Sequence, residues 1–108
     1  MNNLLHNGKI LHPETYQLLI TPSTLSLHDV FGQMPQGYAY DIRNITENNI
    51  NYIGHTGLGD GFSAINIYFP KSKVCLVVLQ NIMPDDSEDY YFYEKKFKNL
   101  LLKNDLTQ

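Results

Sequence analysis

Residues Asn49 to Asn81, NINYIGHTGLGDGFSAINIYFPKSKVCLVVLQN, decide the fold. The stretch reads as three short β-strands in series: Ile50–His55, Phe62–Phe69 and Val74–Gln80. Pro70-Lys71-Ser72-Lys73 supplies the turn between the last two. Glycines at 57, 59 and 61 permit positive φ and close backbone approach, which predicts a tight corner beside a pocket. Ile65, Ile67 and Phe69 share one face of their strand. Val74–Leu79 is apolar on both faces, so that strand expects cover on both sides.

Working outward, Thr46–Asn49 is polar and predicts a hairpin loop into the Ile50 strand. Ahead of it, Tyr38–Arg43 alternates as an aromatic-rich strand. Leu25–Gln36 reads as irregular, closed by Pro35 and Gly37. Pro13 and Glu14 suit the first turn of a helix that ends at Thr21-Pro22-Ser23, because a residue preceding proline avoids helical angles. Leu4, Leu5, Ile10 and Leu11 form two apolar pieces around an Asn7-Gly8-Lys9 turn.

At the other end, Asp85 or Ser87 is a candidate N-cap for a helix. Tyr90, Tyr93, Phe97, Leu100 and Leu101 fall at helical spacing and predict the face that covers the sheet. Acids precede lysines 95, 96, 98 and 103, in the sense the helix dipole favours. The expected fold is therefore α+β: an antiparallel sheet of three to four strands, a C-terminal helix on one face and a short N-terminal helix. Nothing in residues 1–108 marks a linker or a repeat, so one domain is expected.

Composition narrows the function classes. A hydrophobic content of 43% with 18% charged residues describes a chain that folds. Net charge is −3 and no basic stripe exists, which argues against a nucleic-acid partner. Apolar runs fall short of the ~20 residues a membrane helix needs. Met1 leads into Asn-Asn and not into a basic, then apolar, leader, so no signal peptide is expected. The single cysteine, Cys75, leaves compartment undecided.

His55-Thr56-Gly57 combines an ionisable ring, a hydroxyl and bare backbone at the end of a strand. Followed by Gly61-Phe62-Ser63, a strand, a Pro-Lys turn and Val77-Val78-Leu79-Gln80-Asn81, it resembles the C-terminal part of serine β-lactamase-like hydrolases. Those are the penicillin-binding proteins, class C β-lactamases and related esterases, whose third motif is Lys-Thr-Gly or, in class C-like branches, His-Thr-Gly. The likeness runs from about Gly37 to Asn81, and Leu58 stands where many relatives have a second glycine. It implies a partial β-lactamase-like, transpeptidase-like domain, since the complete family domain is several times longer. It also implies a bacterial envelope or extracellular setting.

By that resemblance His55 serves the catalytic cluster and the Thr56 hydroxyl contacts substrate. Gly57 and Gly59 let substrate approach, and the Leu58 backbone amide joins the oxyanion hole. The family nucleophile is the serine of Ser-x-x-Lys. Ser23, Ser26, Ser63, Ser72 and Ser87 have Ser26, Asp29, Asn66, Cys75 and Tyr90 three residues on, and none is lysine. Tyr-x-Asn and Ser-x-Asn are also missing. A β-lactam, a peptidoglycan peptide or an ester would thus be a substrate only of a complete domain, and this chain alone is expected to be inactive.

Other motifs point to no chemistry. Gly57–Gly61 precedes a strand, whereas a dinucleotide loop must open a helix. His6, His12, His28 and His55 are too scattered in sequence for a zinc cluster, so neither metal nor cofactor is expected. Asp85–Asp89 lacks the alternating ligands of a calcium loop. Tyr90–Tyr93 reads as packing before it reads as a binding patch. Two further functions stay open: a non-catalytic interaction module that binds a partner chain or itself, and an unrelated small ligand-binding domain. Apolar surplus on Val74–Leu79 favours a homo-oligomer, or cover by a missing N-terminal part of the fold.

Overall fold

The computed structural model describes residues 5–104. It contains helix α1 (Pro13–Ile20), strands β1 (Thr24–Ser26), β2 (Gln36–Tyr38), β3 (Arg43–Glu47), β4 (Ile50–Gly59), β5 (Phe62–Phe69) and β6 (Val74–Gln80), and helix α2 (Phe92–Leu102). Two 3-10 turns, Asp29–Phe31 and Ser87–Asp89, complete it. The strands pair in chain order, each antiparallel to the next, as one six-stranded meander. The class is α+β as expected, but the sheet is not one of three to four strands.

Three strands, β1, β2 and β3, were not expected: β3 (Arg43–Glu47) runs through Thr46 and Glu47, which read as loop, and the other two come from regions that hide their signal. Leu25–Gln36 contains most of β1 and the first residue of β2, each only three residues long, too short for alternation to register. The middle of the expected Tyr38–Arg43 strand, residues 39–42, is instead the turn between β2 and β3. Ala39 N–H donates to the Ile42 carbonyl at 2.8 Å, and Asp41 sits at φ 53°. The Tyr-x-Tyr-x-Ile alternation there belongs to a tight turn.

Between β3 and β4 the turn is two residues, Asn48 and Asn49, both at positive φ (52° and 63°). That is the primed hairpin geometry whose twist suits the flanking strands, and asparagine tolerates it. The Pro70–Lys73 turn is as expected, with Lys73 N–H donating to the Phe69 carbonyl at 2.8 Å. The glycine-rich corner is smaller than expected. Gly57 and Gly59 lie inside β4, and only Gly61 (φ 84°) turns the chain. Gly54 is a packing requirement, since a Cβ there would sit 2.1 Å from the Asn66 carbonyl oxygen of β5.

One face of the sheet, the inner face, carries the core: Ile45, Tyr52, Ile65, Ile67 and Phe69, closed by Val30 and Phe31 and by Tyr91 and Leu102 beside α2. Here the helix departs from its sequence pattern. Ser87–Asp89 forms a separate turn capped by Asp86, whose carboxylate accepts from Glu88 N–H at 3.0 Å. Tyr91 at φ 61° then breaks the chain before α2 starts. The residues α2 buries are Glu94, Lys98 and Leu102, while Tyr93, Phe97 and Leu100 are exposed. The expected Tyr93–Phe97–Leu100 cover is thus turned outward.

Two polar groups take its place because each finds a partner. Ser63 Oγ donates to Glu94 Oε1 at 2.6 Å. Lys98 Nζ donates to Glu47 Oε2 at 2.7 Å, and the Tyr52 hydroxyl donates to the same oxygen at 2.6 Å. Burial of polar groups is tolerated on such terms, though Glu94 Oε2 stays buried without a hydrogen-bond partner among the described residues.

On the opposite, outer face, His6 stacks on Tyr68 with ring centroids 4.3 Å apart and shares a 2.7 Å hydrogen bond with Tyr16 of α1. Helix α1 buries none of its residues. Pro13 lies in its first turn, and Thr21 N–H closes its end on the Gln17 carbonyl. Cys75, Val77 and Leu79 of β6 are exposed on this face, so the two-sided cover expected for that strand is absent among the described residues. Leu4, part of the expected N-terminal apolar piece, lies outside the described residues.

Candidate functional site

Strand β4 outruns its neighbour. It pairs with β3 only from Ile50 to Gly54, but with β5 from Ile53 to Gly59. Residues 55–59 therefore have a strand on one side only among the described residues. The two-residue turn at Asn48-Asn49 makes Glu47–Ile50 a hydrogen-bonded pair, which fixes the phase along the strand. Ile50, Tyr52 and Gly54 direct their backbone groups toward β3. Alternation sends those of Thr56 and Leu58 to the same side, beyond the end of β3. The sequence-predicted motif is thus a strand edge unpaired on one side, with two amides directed away from β5, one in buried Thr56 and one in exposed Leu58.

Side chains of the motif part company across the sheet. His55 lies on the outer face, half-buried, lining a small cavity of about 120 Å³ with His6, Ile42, Ile53 and Asn66. Its Nε2 is 3.2 Å from the Tyr38 hydroxyl, and its Nδ1 contacts the Thr56 carbonyl oxygen. A carbonyl only accepts, so Nδ1 carries the proton there. Tyr38 is also within 3.3 Å of Asp41 Oδ1. His55 accordingly sits at a partly open groove.

Thr56 points to the inner face, where it is buried with its hydroxyl 3.3 Å from His28 Nε2. His28 Nδ1 accepts the Val30 N–H at 3.3 Å, which leaves Nε2–H to donate to Thr56. Burial, and after it the nearby Arg43 guanidinium, lowers the His28 pKa from 6.5 and favours that neutral tautomer. The Arg43 guanidinium lies over the Tyr38 ring at 4.9 Å and the Phe31 ring at 5.6 Å. Leu58 is half-exposed, and Gly57 and Gly59 expose backbone beside it.

A larger cavity of about 760 Å³ opens under α2, lined by His28, Asp29, Glu47, Lys95 and Lys98 among others. Its charges are internally matched, with Lys95 to Asp29 at 2.9 Å and Lys98 to Glu47 at 2.7 Å. Burial lowers the Lys98 pKa against the opposing pull of Glu47.

Reading the sequence alone missed Tyr38 as the partner of His55 and His28 as the partner of Thr56. These lie 17 and 28 residues away and carry no local pattern. No group of three or more His, Cys, Asp or Glu is placed to hold a metal among the described residues. No described helix is long and apolar enough to cross a membrane. Comparison with protein-family models, curated proteins and solved structures finds no match.

Proposed function

We propose that the chain is the C-terminal segment of a serine β-lactamase or penicillin-binding-protein-like hydrolase, supplying a substrate-facing strand edge and not the nucleophile. The observation that supports this is the unpaired edge of β4 at His-Thr-Gly, with the Leu58 amide directed outward. A fixed N–H at such an edge suits a developing oxyanion, and an extended peptide can add to the edge as a strand. His55, held by Tyr38, orients at one side of that edge. The Thr56 hydroxyl accepts from His28 and also bonds the Tyr91 hydroxyl, so its contribution to a substrate is its backbone. Ser63, the serine nearest in sequence, is enclosed and donates to Glu94, not to a lysine.

The experiment is to incubate the purified chain with a chromogenic β-lactam and a short chromogenic ester, then weigh the protein by intact mass spectrometry. No turnover and no acyl adduct are expected. Turnover or an adduct on any serine would overturn the assignment of roles.

A second reading, a non-catalytic module that associates with a copy of itself, is favoured by a separate observation. Tyr93, Phe97 and Leu100 form an exposed apolar flank on α2, and Leu79 is exposed on β6. Molar mass in solution as a function of concentration separates it from the first.

A further inference from the structure

Of the two outer strands of the sheet, β1 is three residues long and β6 is seven. Long edges are ordinarily protected by charge, proline or a bulge, since unpaired N–H and C=O groups recruit other strands. Val74–Gln80, VCLVVLQ, has no charged residue and no proline, and its register against β5 runs unbroken from Val74 to Gln80. This edge is bare.

The phase set by the Asn48-Asn49 turn carries across the sheet. Ile53 and Tyr68 exchange hydrogen bonds, Ile67 then faces β6, and Val74, Leu76, Val78 and Gln80 face β5. Cys75, Val77 and Leu79 therefore direct their backbone groups to the free edge.

Helix α2 adds a wall above that edge. Glu94 and Lys98 face the sheet, and Lys95 reaches Asp29 on the β3 side. At 100° per residue, Tyr93, Phe97 and Leu100 lie on the flank of α2 away from Lys95, and Tyr93 lines a cavity with Gln80 of β6. They are about half exposed, at 53%, 48% and 61%. Below them Leu76 and Val78 are only partly covered. The result is an apolar step where the start of α2 meets the Gln80 end of β6.

We infer that β6 is a dimerisation edge, which pairs antiparallel with β6 of a second copy about a two-fold axis at Val77. This rests on the self-associating reading above and names its surface. Antiparallel self-pairing is isologous by symmetry. Centred on Val77, it sets Val77 against its own copy and Cys75 against Leu79, so the outward backbone groups of all three residues are satisfied together. The same axis brings the two α2 flanks face to face over the joined sheets. Tyr93 and Phe97 at half exposure offer on the order of 100 Å² each. With Leu100, Leu76, Val78 and the strand edge, the step is of the order of the roughly 800 Å² per partner in a specific interface.

The test combines mass and cross-linking on the full chain. Light scattering is expected to give twice the 12.4 kDa chain mass at micromolar concentrations. Phe97→Lys should weaken the dimer at least tenfold, with an unchanged circular-dichroism spectrum because the site is exposed. Cys75→Ser/Val77→Cys should form a disulfide-linked dimer in air, since paired Cα atoms at about 5.5 Å fall in the disulfide range. Cys75→Ser/Leu79→Cys should not, because its two thiols would lie about 13 Å apart along the ribbon. A monomer mass at every concentration overturns this proposal and the self-associating reading together. A dimer that cross-links at 79 or fails to cross-link at 77 overturns the β6 surface alone.

Discussion

Replacing Lys98 by Met removes one charge of a buried ion pair while leaving the volume of the side chain nearly filled. Lys98 is 1% exposed and Glu47 19%, with Nζ and Oε2 2.7 Å apart. At an effective dielectric of about 20 the gross attraction is about 6 kcal/mol, most of it offset by desolvation of the ammonium. The net loss is set by what the variant strands: a Glu47 carboxylate left with the Tyr52 hydroxyl at 2.6 Å. Orphaning a buried charge costs about 3–5 kcal/mol, and the partial exposure of Glu47 reduces that to roughly 2–3 kcal/mol. Thermal unfolding followed by circular dichroism should shift down by about 10–15 °C.

Glu47→Gln alone should also destabilise, because it leaves Lys98 enclosed without its anion. The double variant removes both charges, and Gln still accepts from Tyr52. It is expected within about 1 kcal/mol of the parent, a strongly non-additive cycle. Additive losses in the double variant, or a Lys98→Met loss under about 0.5 kcal/mol, would show that the pair does not hold α2 to the sheet.

Gly54→Ala should cost about 3 kcal/mol or prevent folding, because its Cβ would lie 2.1 Å from the Asn66 carbonyl oxygen, and backbone cannot rotate aside; urea denaturation measures it. Acid should destabilise through His28 and His6, whose folded pKa values lie below 6.5. The unfolded chain then binds more protons, so stability is fully present above about pH 6.5 and is lost as pH falls below it toward the folded pKa values. His28→Gln should flatten that decline, as read from unfolding midpoints between pH 7 and pH 4. Asp86→Ala should cost about 0.5–1 kcal/mol by removing the cap of the Ser87–Asp89 turn.

Strands β5 and β6 and helix α1 were legible from the sequence because each is long enough to show its own period or carries its own stop signals. The turns at Pro70–Lys73 and before Ile50 were legible from their residues. Strands β1 and β2 were not, because three residues cannot display alternation, and β3 was not, because its polar Thr46 and Glu47 read as loop and the alternating Tyr38–Arg43 stretch beside it imitates a strand. The orientation of α2 misled for a different reason. Its apolar positions do share a face, but Glu94 and Lys98 find partners in Ser63 and Glu47 that lie 31 and 51 residues away. Such pairings exist only after the sheet forms. Of the candidate site, the strand was read only to His55 with a corner at residues 57–61, so the edge running on to Gly59 was not foreseen, and its supports Tyr38 and His28 depend on the meander bringing distant residues together.

The outward-facing amides of Thr56 and Leu58 offer the most direct test of the proposed role. Two-dimensional amide NMR of the ¹⁵N-labelled chain, titrated with an N-acylated D-Ala-D-Ala peptide, reads each of them separately. The largest shifts are expected at Thr56 and Leu58, with His55 and Tyr38 following and Ile65 to Phe69 unmoved. Saturation of the titration with no change at residues 55–59, or with the shifts centred elsewhere, would contradict that role.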